Sequence, residues 1–191
     1  MPKIITVGGV HGVGKTTSAK LATESLKRTG QVAYVSVGDE LAAYAKSRFG
    51  KRIKQLTMPQ MMTGWHKVLE GINRKKSKVV IVDQHYTFLP RGSKNQIDLL
   101  SRRRQFESTV PEQVHYVLLE APLSEVLRRR AAGSKQRSTD PKGIAREIVG
   151  QRICARLEAR ETGKPLTIIR NSAGKQDETV RRIAAIVRRH L

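Results

Sequence analysis

Apolar residues follow two rhythms along the chain. Short runs rich in apolar residues occur at Ile4–Val7, Gln31–Val37, Lys78–Asp83 (KVVIVD), Val114–Glu120 (VHYVLLE) and Leu166–Ile169. Short runs of this kind, bounded by Gly, Pro or Asp, read as strands buried on both faces of a parallel sheet. Between them apolar positions recur at helical spacing. The pattern predicts a first helix from Lys15 to Arg28, stopped by Thr29-Gly30, and a second capped by Asp39 and running through Leu41, Ala42, Ala45 and Phe49. Further helices are predicted from Pro59 to Arg74, around Gln96 to Phe106 and from Pro122 to Arg130. A long one runs from Lys142 through Ile144, Ile148, Ile153 and Leu157 to Thr162, and a last one, capped by Asp177, turns Val180, Ile183, Ala184 and Val187 inward. Met61, Met62 and Trp65 keep the helical period, so they read as packing. Strands alternating with helices make a three-layer parallel α/β domain. No repeat, linker or low-complexity tract divides residues 1–191, which read as one domain.

The first strand runs into a sequence that carries chemistry. Gly9, Gly14, Lys15 and Thr16 stand in the order G-x-x-x-x-G-K-T, the phosphate-cradling loop of P-loop nucleotide-binding proteins. Glycines admit positive φ and let backbone N–H groups converge. A helix opening at Lys15 presents unpaired N–H groups and a positive dipole end to phosphates. Lys15 is placed to reach the β- and γ-phosphate oxygens, and the Thr16 hydroxyl to ligate Mg²⁺. At the carboxyl end of the Lys78–Asp83 strand, Asp83 sits where a Mg²⁺-organising carboxylate belongs. His85, two residues on, shares its side in extended geometry and can touch substrate phosphate or orient the loop.

Charge changes the picture. Thirty-seven Lys and Arg face sixteen Asp and Glu, a formal balance of +21. Pairing every acid would still leave twenty-one cations, more than a nucleotide pocket needs. The excess predicts affinity for RNA, ribosomes or another polyanion, with steep salt dependence. Residues 41–82 hold ten Lys or Arg and one acid, Glu70, so this helical pair could clasp a phosphate-bearing acceptor or form a solvated face. The short polar stretch after Ala131, with Lys135 and Arg137, suits a small mobile flap. The lone cysteine, Cys154, excludes an internal disulfide and reads as core filler. With no leader-like segment and no apolar run of membrane-spanning length, a cytoplasmic protein without membrane contact is expected.

Several further segments resemble, in order and spacing, the archaeal-type adenylate kinases. These are VGDE at 37–40, VIVDQHYT at 80–87, LLEAP at 118–122, Arg128-Arg129-Arg130 with SKQR ending at Arg137, and QRICARLEARETGKPLTIIRN at 151–171. The resemblance implies a five-stranded parallel core, a helical nucleoside-monophosphate-binding segment at 39–76, a short lid at 131–141 and a trimer. It implies ATP and Mg²⁺ as donor and AMP as acceptor. On that pattern Gly9, Val10, His11, Gly12, Val13, Gly14, Lys15, Thr16 and Thr17 form the ATP loop, with His11 in place of the family's proline. Lys15, Asp83, Arg128, Arg137 and Arg152 take the catalytic places, Asp39, Lys54 and His85 the acceptor side, and Thr16 and Asp83 the metal. Arg129 matches as well. The chain departs from the pattern at Lys54, which replaces an Arg, at Lys135 and Ser138, which replace an Arg and an Asp, and over residues 88–97, which lack a Gly-Pro-rich loop. Lys does not reproduce the bidentate fork of Arg. A sister group of adenylate-kinase-like NTPases acting in ribosome assembly shares the same loop and D-x-H strand, and the basic charge points toward it. A kinase for another small acceptor is the third reading.

Overall fold

The computed structural model describes residues 1–86, 112–133 and 137–191. Its centre is a five-stranded parallel sheet in the order β2-β3-β1-β4-β5. The strands are β1 (Lys3–Gly8), β2 (Val32–Ser36), β3 (Val79–Asp83), β4 (Gln113–Glu120) and β5 (Leu166–Arg170). The helices are α1 (Lys15–Ser25), α2 (Val37–Phe49), α3 (Met58–Asn73), α4 (Leu123–Ala132), α5 (Pro141–Thr162) and α6 (Gln176–Arg188). All five residues of β3 are buried, as its unbroken apolar sequence requires of a strand covered on both faces.

Strand alternation sorts the core into two layers. Ile5, Val7, Val79, Ile81, Val117 and Leu119 pack with Ala19 and Ala22 of α1 and Ile183, Ala184 and Val187 of α6. On the opposite face, Val80 and Val82 pack with Leu41 of α2 and Met61, Val68, Leu69 and Ile72 of α3. Beside them on that face, Tyr116 and Leu118 pack with Tyr86 and with Cys154 and Ala155 of α5. Cys154 is 2% exposed, and burial pushes its thiol up to about 11, which fits core packing. Among the described residues, no helix is long and apolar enough to cross a membrane.

Several helix ends differ from the periodicity. Asp39 is not the cap of α2; Ser36 is, its Oγ accepting the Asp39 N–H at 3.2 Å, so the helix starts directly off β2. Asp177 lies inside the first turn of α6, after a cap position at Lys175 that offers no side-chain bond. Pro122 occupies the cap position of α4 rather than its first turn. α1 stops at Ser25, and a 3₁₀ turn at Lys27–Thr29 carries the chain to Gly30. Ile153 lies half exposed on α5 rather than in the core. The true cap of α5 is Asp140, whose carboxylate accepts the N–H groups of Lys142 and Gly143. The expected helix at 96–106, with Arg102, Arg103 and Arg104, and Lys135 of the flap lie outside the described residues.

Candidate active site

β1 delivers the glycine loop to the carboxyl end of the sheet, between β3 and β4. Gly9, Gly12 and Gly14 all have positive φ, at 143°, 90° and 89°. At Gly14 a side chain is excluded twice over, since an added Cβ would also stand 2.5 Å from Asn171 Nδ2. That amide donates to the Val13 carbonyl at 2.7 Å, so a residue leaving β5 fixes the last turn of the loop. Thr179 of α6 in turn donates to Asn171 Oδ1 at 3.2 Å and so orients it.

Lys15 is buried and donates to the Val10 carbonyl at 3.1 Å, folded back against the loop. Burial pushes its ammonium down from 10.5 to about 8; Asp83 opposes the shift, while Arg137 and Arg130 add to it. Thr16 donates from its hydroxyl to Asp83 Oδ2 at 2.5 Å, and Tyr34 donates to the same oxygen at 3.1 Å. β3 places Asp83 in register with Val7 of β1 and Ser36 of β2, which brings it to the loop. Burial and the adjacent carboxylate push the Tyr34 phenol upward, so it stays a donor. The expected pair of hard oxygen ligands, Thr16 and Asp83, is thus assembled, and that chemistry suits Mg²⁺.

His11 and His85 meet edge to face, with ring centroids 4.1 Å apart. Burial, with Lys15 and His11 nearby, pushes His85 down to about 2, so it is the neutral imidazole, hydrogen-bonded to the Gly9 backbone. The histidine that departs from the family's loop therefore has a ring partner in the D-x-H strand.

A cavity of about 310 Å³ opens over the loop, lined by His11, Gly12, Gly14, Lys15, Thr16, Thr17, Arg129, Arg130, Gly133 and Arg137. Among the described residues its charged lining is wholly cationic, which fits a polyphosphate. Arg137 faces this space and makes no hydrogen bond among the described residues, and burial pushes its guanidinium downward. Arg129 reaches the Val13 carbonyl at 3.3 Å and the Asn171 carbonyl at 3.0 Å. Arg130 has a side chain only 2% exposed. It bonds the His11 carbonyl, the Ser138 carbonyl and, at 2.6 Å, Glu147 Oε2 of α5.

Two of the expected arginines are elsewhere. Arg128 is 66% exposed and paired with Glu125 on the outer face of α4. Arg152 forms a two-point pair with Glu120 at 2.7 and 3.0 Å. It lines a larger cavity of about 670 Å³ at the β5 edge, with Arg156, Arg170, Lys175, Glu178 and Arg182. The phosphate loop lines the smaller cavity and not this one. Asp39 and Lys54 are both exposed, Lys54 on the 3₁₀ turn Ile53–Gln55 between α2 and α3. The periodicity of α4 carried a signal for the true inward pair. Val126 is fully buried, and Arg129 and Arg130 stand three and four residues beyond it on the same face, whereas Arg128 does not.

A family model described as an AAA domain matches residues 8–146, well over half of the chain. The chain belongs to this AAA-domain family. No curated protein sequence matches it. As an AAA-domain protein it has a P-loop kinase-like fold, and solved structures of low identity share that fold. Shikimate kinase from Bacteroides thetaiotaomicron is 17% identical, with a TM-score of 0.55 over 97% of this chain and 98% of that one. The tunicamycin resistance protein of Deinococcus radiodurans is also 17% identical, with a TM-score of 0.62 over 98% and 96% of the two chains. A putative kinase from Chloroflexus aurantiacus, 16% identical, reaches 0.63 over 100% of this chain and 98% of its own.

Proposed function

We propose that the protein is an ATP- and Mg²⁺-dependent small-molecule kinase whose acceptor is a nucleoside monophosphate, AMP first. The observation that carries the donor half is the buried Lys15 beside the Thr16–Asp83 pair, in a cavity whose charged lining among the described residues is all positive. Mg²⁺, held through Thr16 and Asp83, would supply charge neutralisation on the phosphates. Lys15 and the loop N–H groups would hold the β- and γ-phosphates, and Arg137 is the cation in the cavity with no hydrogen-bond partner to give up among the described residues. Arg129 and Arg130 are already bonded to loop carbonyls, so their part is to keep the cradle in shape. Arg128 and Arg152 would reach the phosphates only after leaving Glu125 and Glu120. The acceptor reading rests on the motif resemblance and on the helical pair α2–α3 packed beside β3.

Purified protein with ATP and Mg²⁺ is offered AMP, CMP, UMP, GMP, shikimate, simple sugars or no acceptor, and product is quantified. ADP formation from AMP is expected, lost by about two orders of magnitude or more in Lys15→Ala. Turnover of shikimate or a sugar with no response to any monophosphate would overturn the nucleotide acceptor and keep the kinase.

One observation favours a second reading, an NTPase that works on RNA. The larger cavity places five cations, Arg152, Arg156, Arg170, Lys175 and Arg182, against two acids, away from the phosphate loop. RNA affinity that falls steeply between low and physiological salt, and falls again in Arg156→Glu with Arg182→Glu, is the expected result. Acceptor-independent hydrolysis stimulated by RNA would make this the main activity. Weak binding that ignores salt would remove it.

A further inference from the structure

The residue between Asp83 and His85 is unaccounted for by any of this. Gln84 is 5% exposed, and its side-chain Oε1 is fully buried without a hydrogen-bond partner. Its amide makes no hydrogen bond among the described residues. Its backbone N–H donates to the Val7 carbonyl at 3.1 Å, so the β1–β3 ladder runs one residue past the end of β3. Strand alternation therefore continues, and Gln84 stands on the face of Val80 and Val82, opposite Asp83. That face carries the α2–α3 layer on one side and the Tyr86–α5 layer on the other. Gln84 stands one residue past β3, at the carboxyl end of the sheet, where ligands enter open α/β sheets.

An uncompensated buried amide costs about 1–3 kcal/mol, and native chains rarely keep one without a use. The environment is rigidly built around it. Tyr86 donates to the Val117 carbonyl at 3.0 Å, and its ring lies so close over Gly8 that a Cβ there would be 2.1 Å away. The Tyr86 N–H is held by Gln151 Oε1 at 2.8 Å. The backbone on either side of Gln84 is thus pinned by Val7 and by Gln151, and the amide is held in place unpaired.

We propose that Gln84 determines acceptor specificity, its buried oxygen accepting a hydrogen bond from a hydroxyl of the phosphoryl acceptor. The inference rests on the kinase reading. The class of group follows from position. Gln84 follows Asp83 directly, but strand alternation turns its side chain to the face of Val80 and Val82, which α2 and α3 cover, so the group it reads belongs to the acceptor and not to the donor phosphates. In a nucleoside monophosphate that group is a ribose hydroxyl; in a polyol acceptor it is a hydroxyl near the one that is phosphorylated. A site built to bond a hydroxyl rejects the analogue lacking it, because the protein group is then left unpaired.

The test pairs native protein with Gln84→Met, which keeps the volume and removes the amide. AMP is compared with its 2′-deoxy and 3′-deoxy forms, and shikimate and sugars with their deoxy analogues, by kcat/KM. Native protein is expected to disfavour one deoxy acceptor by about 100-fold or more, and Gln84→Met to shrink that preference to within about 10-fold. The acceptor series that shows the preference identifies the source of the hydroxyl. The ligand-free Tm of Gln84→Met should be unchanged or raised, since an unpaired buried amide is lost. A lowered Tm, or a preference that survives in Gln84→Met, would overturn the assignment and leave the kinase reading standing. Failure of native protein to phosphorylate any acceptor would overturn both.

Discussion

Lys15 offers a direct measurement of what the phosphate loop is poised to do. Its ammonium, held down to about 8, is costly when protonated without an anion, by about 3 kcal/mol relative to its ordinary value of 10.5. Between about pH 8 and 10.5 the unfolded chain holds the extra proton and the folded one does not, so the ligand-free fold gains stability as pH rises through that window. A polyphosphate in the cavity reverses the balance and brings the ammonium back toward its ordinary value. Binding of ATP with Mg²⁺ should then take up about half a proton per site at pH 8. Uptake should rise to about 0.9 at pH 9 and fall below about 0.05 at pH 6.5. Titration calorimetry in two buffers of different ionisation enthalpy reads this number. The imidazole of His85, held down to about 2, stays neutral across this range, so it adds nothing to the profile. In Lys15→Arg the cation stays charged throughout and the uptake near pH 8 should vanish. No uptake in native protein at pH 8, or equal uptake in Lys15→Arg, would refute the reasoning.

Other outcomes follow from the same geometry. Gly14→Ala forces a side chain onto a φ of 89° and against the Asn171 amide, so stability should fall by about 1–3 kcal/mol and nucleotide affinity by about 100-fold, by denaturation and equilibrium binding. Arg130→Met should cost about 2–4 kcal/mol in urea unfolding, because its buried guanidinium joins the loop, Ser138 and α5. Arg128→Ala should stay within about 0.5 kcal/mol of native with unchanged ATP affinity, as expected of an exposed pair. Cys154 should react with a disulfide reagent at pH 8 only as fast as the chain opens, and at once in guanidinium chloride.

The layers of this fold were legible because apolar runs buried on both faces leave no ambiguity. β3 is the clearest case: a wholly apolar stretch ending in Asp could only be a central strand presenting its last residue at the sheet edge. Helix ends were less legible, since Asp39 and Ser36 are both good caps and only the β2 exit decides between them. The donor half of the site follows from the spacing of Gly9, Gly14, Lys15 and Thr16. Which of three consecutive arginines faces the loop is a matter of helix phase, and Arg128 was chosen by motif where Val126 gives the phase. That Arg152 is paired with Glu120 was out of reach of sequence reasoning, because the two stand thirty-two positions apart. Gln84 gave no signal at all, since an unpaired amide is visible only once its surroundings are.

The loop is closed by a residue 158 positions downstream of the carbonyl it holds, and α6 must form to orient that residue. A chain still being synthesised can therefore have β1 and every glycine of the loop in place and yet lack a finished cradle. Competence to retain nucleotide should arrive abruptly, once α6 has formed, and not grow with chain length. Bound nucleotide would then mark a chain whose α6 is in place, and any protease that cuts α6 would erase that mark at a distance from the loop itself.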